Sequence, residues 1–185
     1  MQTLDTPRLQ LRPLGQADEA LYCRLYSDPG VMRHIAAPLS DEAARTAFAT
    51  VLRLMRQDAP ALHVWVVRDG ASGAELGIVA LFRDAGSVDA REVGAMLLVE
   101  GQRRGVAAAA IGAVADHVFD PADGAGPALR LLWTRHASGN AAAARLMSRM
   151  AFQRQVPRSA EQAEVRWQMS RERWDAGRPA RHGKT

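Results

Sequence analysis

The segment EVGAMLLVEGQRRGVAAAAIGAVADHVF, residues 92–119, constrains the fold more than any other. Its first part is a nearly continuous apolar run through Met96, Leu97, Leu98 and Val99, the pattern of a strand with little exposure to water. A polar turn, QRRG, follows. The alanine-rich stretch after it predicts a helix with Val106, Ile111, Val114, Ala115 and Val118 on its inward face. The first amides of such a helix lack intrahelical partners and carry partial positive charge. A turn of this kind suits an anion such as a phosphate. Gly105 removes the side chain that would keep a pyrophosphate off the backbone, and Ala107 keeps the approach narrow. Arg103 and Arg104 add charge-assisted donors. No Gly-Lys-Ser/Thr follows, so this is not a Walker A loop, and the three-glycine spacing of a dinucleotide fingerprint is absent.

The rest of the chain reads as a mixed α/β fold. LQLRPL, residues 9–14, alternates like a strand. Leu14, Ala17, Leu21 and Leu25 then lie at helical spacing, and Asp28-Pro29 stops that helix. A second helix opens on Ser40 as N-cap with Asp41 and Glu42 in its first turn, and Phe48, Val51, Leu52 and Met55 form its apolar face. After Pro60 the period changes. LHVWVVRDGASGAELGIVALFRD predicts two strands and a turn, and REVGAMLLVE continues the meander. Beyond the alanine-rich helix come a loop (PADGAGP), a strand (ALRLLWTR), a helix (SGNAAAARLMSRMAF) and a strand within EVRWQMSRERW. The expectation is one domain over residues 1–174, with a sheet of six to seven strands and helices on both faces. Residues 175–185 lack apolar periodicity and are expected to be a frayed tail.

Composition excludes several classes. No run of about 18 apolar residues occurs, so no membrane span is expected. No basic segment leads into an apolar one at the start, and a cytoplasmic location is expected. A single cysteine, Cys23, rules out an internal disulfide framework and a multi-cysteine metal site. The formal charge is +4, but the arginines are scattered among acids and aromatics are only 5%, so a nucleic-acid partner is not expected. No His/Asp/Glu cluster has metal-ligand spacing.

Three separated motifs sharpen the functional reading. QRRGVA fits the form Q/R-x-x-G-x-G/A and resembles the acetyl-CoA-binding motif of the GNAT acyltransferase superfamily. EVGAMLLV before it is similar to that superfamily's fourth strand, and NAAAARLMSRMAF resembles its Asn-led helix ending in a Gly-Phe-like pair. LDTPRLQLRPLGQADEALYCRLYSDPGVM resembles the opening of the RimJ/RimL-type branch: T-x-R-L-x-L-R-x-[LF], an acidic residue before the first helix, then D-P-x-V-M. The likeness runs from about Leu4 to Met169. It implies a mostly antiparallel sheet splayed between its fourth and fifth strands, with acetyl-CoA in the gap. Backbone groups of Met96, Leu97, Leu98 and Val99 would pair with the pantetheine arm as an extra strand does. Gln102, Arg103, Arg104, Gly105, Val106 and Ala107 would hold the pyrophosphate. Asn140 would contact the arm, or would simply cap its helix, a task for which Ser138 competes.

The resemblance implies an N-acetyltransferase acting by direct attack in a ternary complex on a small-molecule amine or a protein N-terminus, as monomer or homodimer. Glu92 is the candidate general base, with burial expected to raise its pKa. Pairing with an arginine is its structural alternative. His63 and Trp65 share one strand face and are taken as acceptor-cleft residues, although a structural role suits His63 as well. Cys23 is expected to pack. The superfamily's two usual proton donors for the leaving thiolate are missing: the tyrosine position is Met147 and the RimJ/RimL serine position is Ala143. The helix-ending glycine is replaced by Ala151. Those losses motivate a second expectation, a non-catalytic acyl-CoA-binding module.

Overall fold

The computed structural model describes residues 1–102, 105–119, 129–156 and 163–177. Among these, eight strands form one sheet: β1 (Leu4–Asp5), β2 (Leu9–Pro13), β3 (Leu62–Asp69), β4 (Glu75–Arg83), β5 (Ala90–Leu97), β6 (Leu131–Ala137), β7 (Gln153–Arg154) and β8 (Glu164–Ser170), in the order β1-β2-β3-β4-β5-β6-β8-β7. All neighbours are antiparallel except β5 and β6. The helices are α1 (Glu19–Ser27), α2 (Pro29–Met32), α3 (Asp41–Met55), α4 (Val106–Phe119), α5 (Ala141–Arg149) and α6 (Arg171–Gly177). Beyond the six strand segments read from the sequence stand the two-residue β1 and β7, too short to show a period. α6 carries regular structure to Gly177, past the boundary expected at 174.

The sheet divides two cores. On one face α4 packs with Leu9, Leu11, Trp65, Val67, Val79, Leu81, Val93 and Leu132, and Ile111, Val114 and Ala115 point inward as their spacing predicts. On the other face α1 and α3 cover β3 and β4 through Leu21, Leu25, Phe48, Val64, Val66 and Ile78. Ser40 caps α3, its hydroxyl accepting from the Ala43 amide at 3.3 Å. Asp28, which ends α1, also caps α2 by accepting from the amides of Gly30 and Val31.

The opening motif has a physical basis. Thr6 folds the β1–β2 turn onto itself, its hydroxyl accepting from the Leu9 amide at 2.8 Å. Arg12 on β2 forks onto Asp18 in the turn that leads into α1, with NH1 to Oδ2 at 2.8 Å and NH2 to Oδ1 at 2.5 Å, and the Gly15 amide donates to the same Oδ2. Asp18 is 2% exposed. Burial pushes its carboxyl up, but the Arg12 and Gly15 hydrogen bonds and the charges of Arg12 and Arg68 hold it below its ordinary value. An unpaired carboxylate at this depth would be costly, so the fork is what permits the position.

Two glycines let the end of β5 lie against β4. At Gly77 (φ +150°) a Cβ would stand 2.2 Å from the Met96 carbonyl oxygen, and at Gly101 a Cβ would stand 2.8 Å from the Leu76 carbonyl oxygen. That Leu76 oxygen accepts the Leu98 amide at 2.9 Å. The lone glycine inside ELGIVALF is the sequence signal for such close approach. Gly77→Ala is expected to cost about 2–4 kcal/mol, from a conformation poorly open to L-residues plus a backbone clash, read as a lower urea midpoint.

Candidate active site

The site is built where two rigid half-sheets part. β4 and β5 pair from Arg83↔Arg91 to Gly77↔Leu97, and β6 and β8 pair from Leu131↔Ser170 to Ala137↔Glu164. Between the halves β5 and β6 pair only at Ala90↔Leu131, Arg91↔Leu132 and Glu92↔Trp133. Past Glu92 the strands diverge, and residues 93–97 pair with β4 alone. These are the fourth and fifth strands of the sequence reading, so the splay lies where the resemblance puts it. Backbone groups directed into such a gap need water or an extended polar ligand.

The gap runs toward the polar turn. Val99–Gly101 form a single 3-10 turn, and the Gln102 side chain donates to the Leu97 carbonyl at 3.1 Å, closing the end of β5. Gly105 has φ +73°, and nothing lies within 4 Å of the position a Cβ would take. Its carbonyl accepts the Ala109 amide, the α4 bond that fixes the helix start. The missing side chain therefore serves conformation and leaves open space, not tight packing. Val106 is buried and Ala107 partly so. Arg103 and Arg104 lie outside the described residues.

Two backbone assignments change. Leu98 has left the strand: its amide is taken by Leu76, and its side chain is 1% exposed in the α1/α3 core. Val99 belongs to the 3-10 turn. Of the four residues expected to pair with an extended ligand, only Met96 and Leu97 remain in β5, and the Leu97 carbonyl already accepts from Gln102. The continuous apolar run hid the strand end, because buried strand and buried turn look alike without a period.

Strand parity separates the remaining candidates. His63 registers with Leu81, and Leu81 with Val93, so Glu92 lies on the opposite face from His63 and Trp65. Trp65 is 1% exposed under α4, and its indole N–H donates to the Gln2 carbonyl at 3.0 Å. It lines no acceptor cleft. His63 lies 6.1 Å, centroid to centroid, from Trp65 on that same face, and burial with the nearby N-terminus, Arg91 and His117 holds its pKa down. Alternation showed that the two share a face but not which face is covered.

Glu92 lies on the face that α1 and α3 leave uncovered beyond β4. Trp133, its β6 partner, donates from its indole N–H to Asp84 Oδ2 at 2.7 Å and carries the Arg166 guanidinium 3.8 Å above its ring. Arg135 Nε donates to Glu92 Oε1 at 3.1 Å, and its NH1 donates to Glu164 Oε2 at 3.3 Å. Phe82, paired with Glu92 on β4, is exposed beside Gly94. Burial pushes the Glu92 carboxyl above its ordinary value, against the pull of Arg135 and Arg166. Glu92 is thus ion-paired to Arg135 while burial raises its pKa. Trp133, Arg135, Arg166 and Phe82 were not singled out in the sequence. The alternation of Trp133 and Arg135 with Leu132 and Thr134 was the available signal.

Asn140 Oδ1 accepts from the Ala143 amide at 3.0 Å, so Asn140, not Ser138, caps α5. Met147 is 3% exposed in the α4-side core. Ala143 is a methyl group in the first turn of α5. α5 ends in a Schellman motif: the Phe152 amide donates to the Met147 carbonyl and the Ala151 amide to the Ser148 carbonyl, with Ala151 at φ 60°. His136 lies in β6, with Nε2 accepting from the Trp167 indole at 2.9 Å and Nδ1 placed 2.9 Å from the Ala137 carbonyl. Cys23 is partly exposed on α1 and belongs to neither core cluster. No group of three His, Cys, Asp or Glu side chains that could hold a metal is present among the described residues, and no described helix is long and apolar enough to cross a membrane.

Residues 8–153 match the family profile of the acetyltransferase (GNAT) domain. The chain belongs to the GNAT acetyltransferase family. Solved GNAT structures share the fold at low identity. A probable GNAT-family acetyltransferase from Chromobacterium violaceum is 20% identical with a TM-score of 0.75, over 94% of this chain and 88% of that one. Spermidine N-acetyltransferase from Vibrio cholerae, solved in complex with CoA and spermine, is 18% identical with a TM-score of 0.73, over 91% and 99%. FdhC, described as a nucleotide-linked sugar GNAT, is 12% identical with a TM-score of 0.75, over 94% and 93%. No curated protein matches the sequence.

In this GNAT domain Ala151 holds a backbone shape that favours glycine. Ala151→Gly is expected to stabilise the protein by about 1 kcal/mol, seen as a thermal midpoint higher by about 2–4 °C.

Proposed function

We propose that this GNAT domain transfers an acetyl group from acetyl-CoA to a primary amine by direct attack in a ternary complex, as a member of the RimJ/RimL-type branch. One observation carries the reading: the β5–β6 pairing stops at Glu92, and the resulting gap leads to a glycine-opened helix start at Gly105. The residues present fit the cofactor. An extended strand edge at 93–97 suits an amide-bearing arm, and the helix start at 105–107 suits a pyrophosphate. The Arg12–Asp18 fork, the Thr6 turn and the Asp28 cap give the branch motif structural sense.

Acetyl-CoA, when bound, supplies the activated acyl group. Glu92, at the last paired level before the gap, takes a proton from the acceptor nitrogen directly or through water. Its raised pKa brings its basicity closer to that task, and its ionised form is needed, so activity falls as pH drops through that pKa. Backbone amides of the unpaired edge stabilise negative charge developing on the carbonyl oxygen. No donor side chain stands at 143 or 147, so solvent protonates the departing sulfur. The acceptor is a small-molecule amine or a protein N-terminus.

The burial of Met147 and the methyl of Ala143 favour a second reading, a CoA-binding module without turnover. Thiol release measured over a panel of amines and peptides separates the two. Binding of acetyl-CoA with no release on any acceptor selects the module.

Gly105→Glu is expected to weaken acetyl-CoA binding by more than about tenfold in calorimetry, with Gly105→Ala as the control that adds backbone strain without charge. Unchanged affinity would remove the phosphate-site assignment. Glu92→Gln is expected to lower turnover by about 10²–10⁴-fold while acetyl-CoA affinity stays near its original value.

A further inference from the structure

The open face beside Glu92 holds a charge arrangement that acetyl transfer alone does not require. Three strands contribute to it: Glu92 from β5, Arg135 from β6, and Glu164 and Arg166 from β8. Arg135 spans two carboxylates, 3.1 Å from Glu92 and 3.3 Å from Glu164. Its guanidinium carbon also lies 6.0 Å from the Trp133 ring centroid. Glu92 Oε1 takes the Arg135 bond, and among the described residues Oε2 has no hydrogen-bond partner. Arg166 is turned elsewhere, stacked on Trp133 and 3.8 Å from Asp84.

We propose that Arg135 and Glu164 are positioning residues for Glu92: one guanidinium shared between two carboxylates fixes Oε1 and leaves Oε2 for the acceptor. This rests on Glu92 being the base. A guanidinium given wholly to Glu92 would hold it ionised but weakly basic. With no cation beside it, the half-buried carboxyl would stay protonated to higher pH. Sharing sets a point between these extremes. The charged groups that act on Glu92 are Arg135 from β6 and Glu164 and Arg166 from β8. Arg135 and Arg166 favour its ionised form, and Glu164 opposes it.

The sharing arrangement makes the two partners act with opposite sign, which loss of structure would not do. The test is a carbon-13 carboxyl titration by NMR of the ligand-free full chain, with the Glu92 signal assigned by its absence in Glu92→Gln. Arg135→Gln is expected to raise the Glu92 midpoint by about one pH unit and Glu164→Gln to lower it by about half a unit. Arg135→Lys is expected to restore part of the first shift. Glu164 is more than half exposed, so its variant tests the idea without threatening the fold. With any acceptor found in the panel, the acid limb of kcat/KM should move in the same two directions. Midpoints that stay at the original value in both variants, or move in the same direction, overturn the proposal. If instead Glu92→Gln leaves turnover unchanged while the midpoints shift as expected, the pairing stands and it is Glu92's role as base that falls.

Discussion

The proposed site follows from a parallel pairing that stops early. β5 is held along its length by β4, and β6 along its length by β8, but the two meet at three residue pairs only. Each half-sheet is therefore determined by its own register and its own core contacts. The gap between them does not need a ligand to open it. A site of this kind binds without first disrupting structure, which lowers the ordering cost of association. The price of the opening is a stretch of strand edge whose polar groups must be satisfied from outside the sheet.

The sequence exposed this architecture unevenly, for physical reasons. Strong alternation and capping gave the long elements: β2, β3, β4, α3 and α4 lie where LQLRPL, LHVWVV, ELGIVALF, Ser40 and the alanine run put them. The loop glycine at 105 was legible because few other residues adopt its backbone shape at a helix start. Less legible was anything that depends on which face of a strand is covered. His63 and Trp65 read as a pair, yet only the three-dimensional placement of α4 shows that Trp65 is core. The end of β5 was hidden inside an apolar run, so Leu98 and Val99 were assigned to strand. Glu92 was visible, whereas its partners come from β6 and β8, forty and more residues away in sequence.

α5 illustrates how one helix can keep its form while changing its chemistry. Its Asn cap, its Schellman ending and its buried Phe152 preserve the geometry that the family motif describes. The two side chains that would donate a proton have become a thioether in the core and a methyl. A thiolate is a competent leaving group without an acid beside it, since an ordinary thiol has a pKa of about 8.5. The helix can thus lose its donors and still keep its place against the core.

The bidentate contact between Arg12 and Asp18 has a consequence for descent. A carboxylate 2% exposed cannot tolerate the loss of its cation, and that cation is in turn oriented by the carboxylate. Selection therefore acts on the two positions as a single heritable character: lineages should keep both or exchange both, with intermediates rare and short-lived.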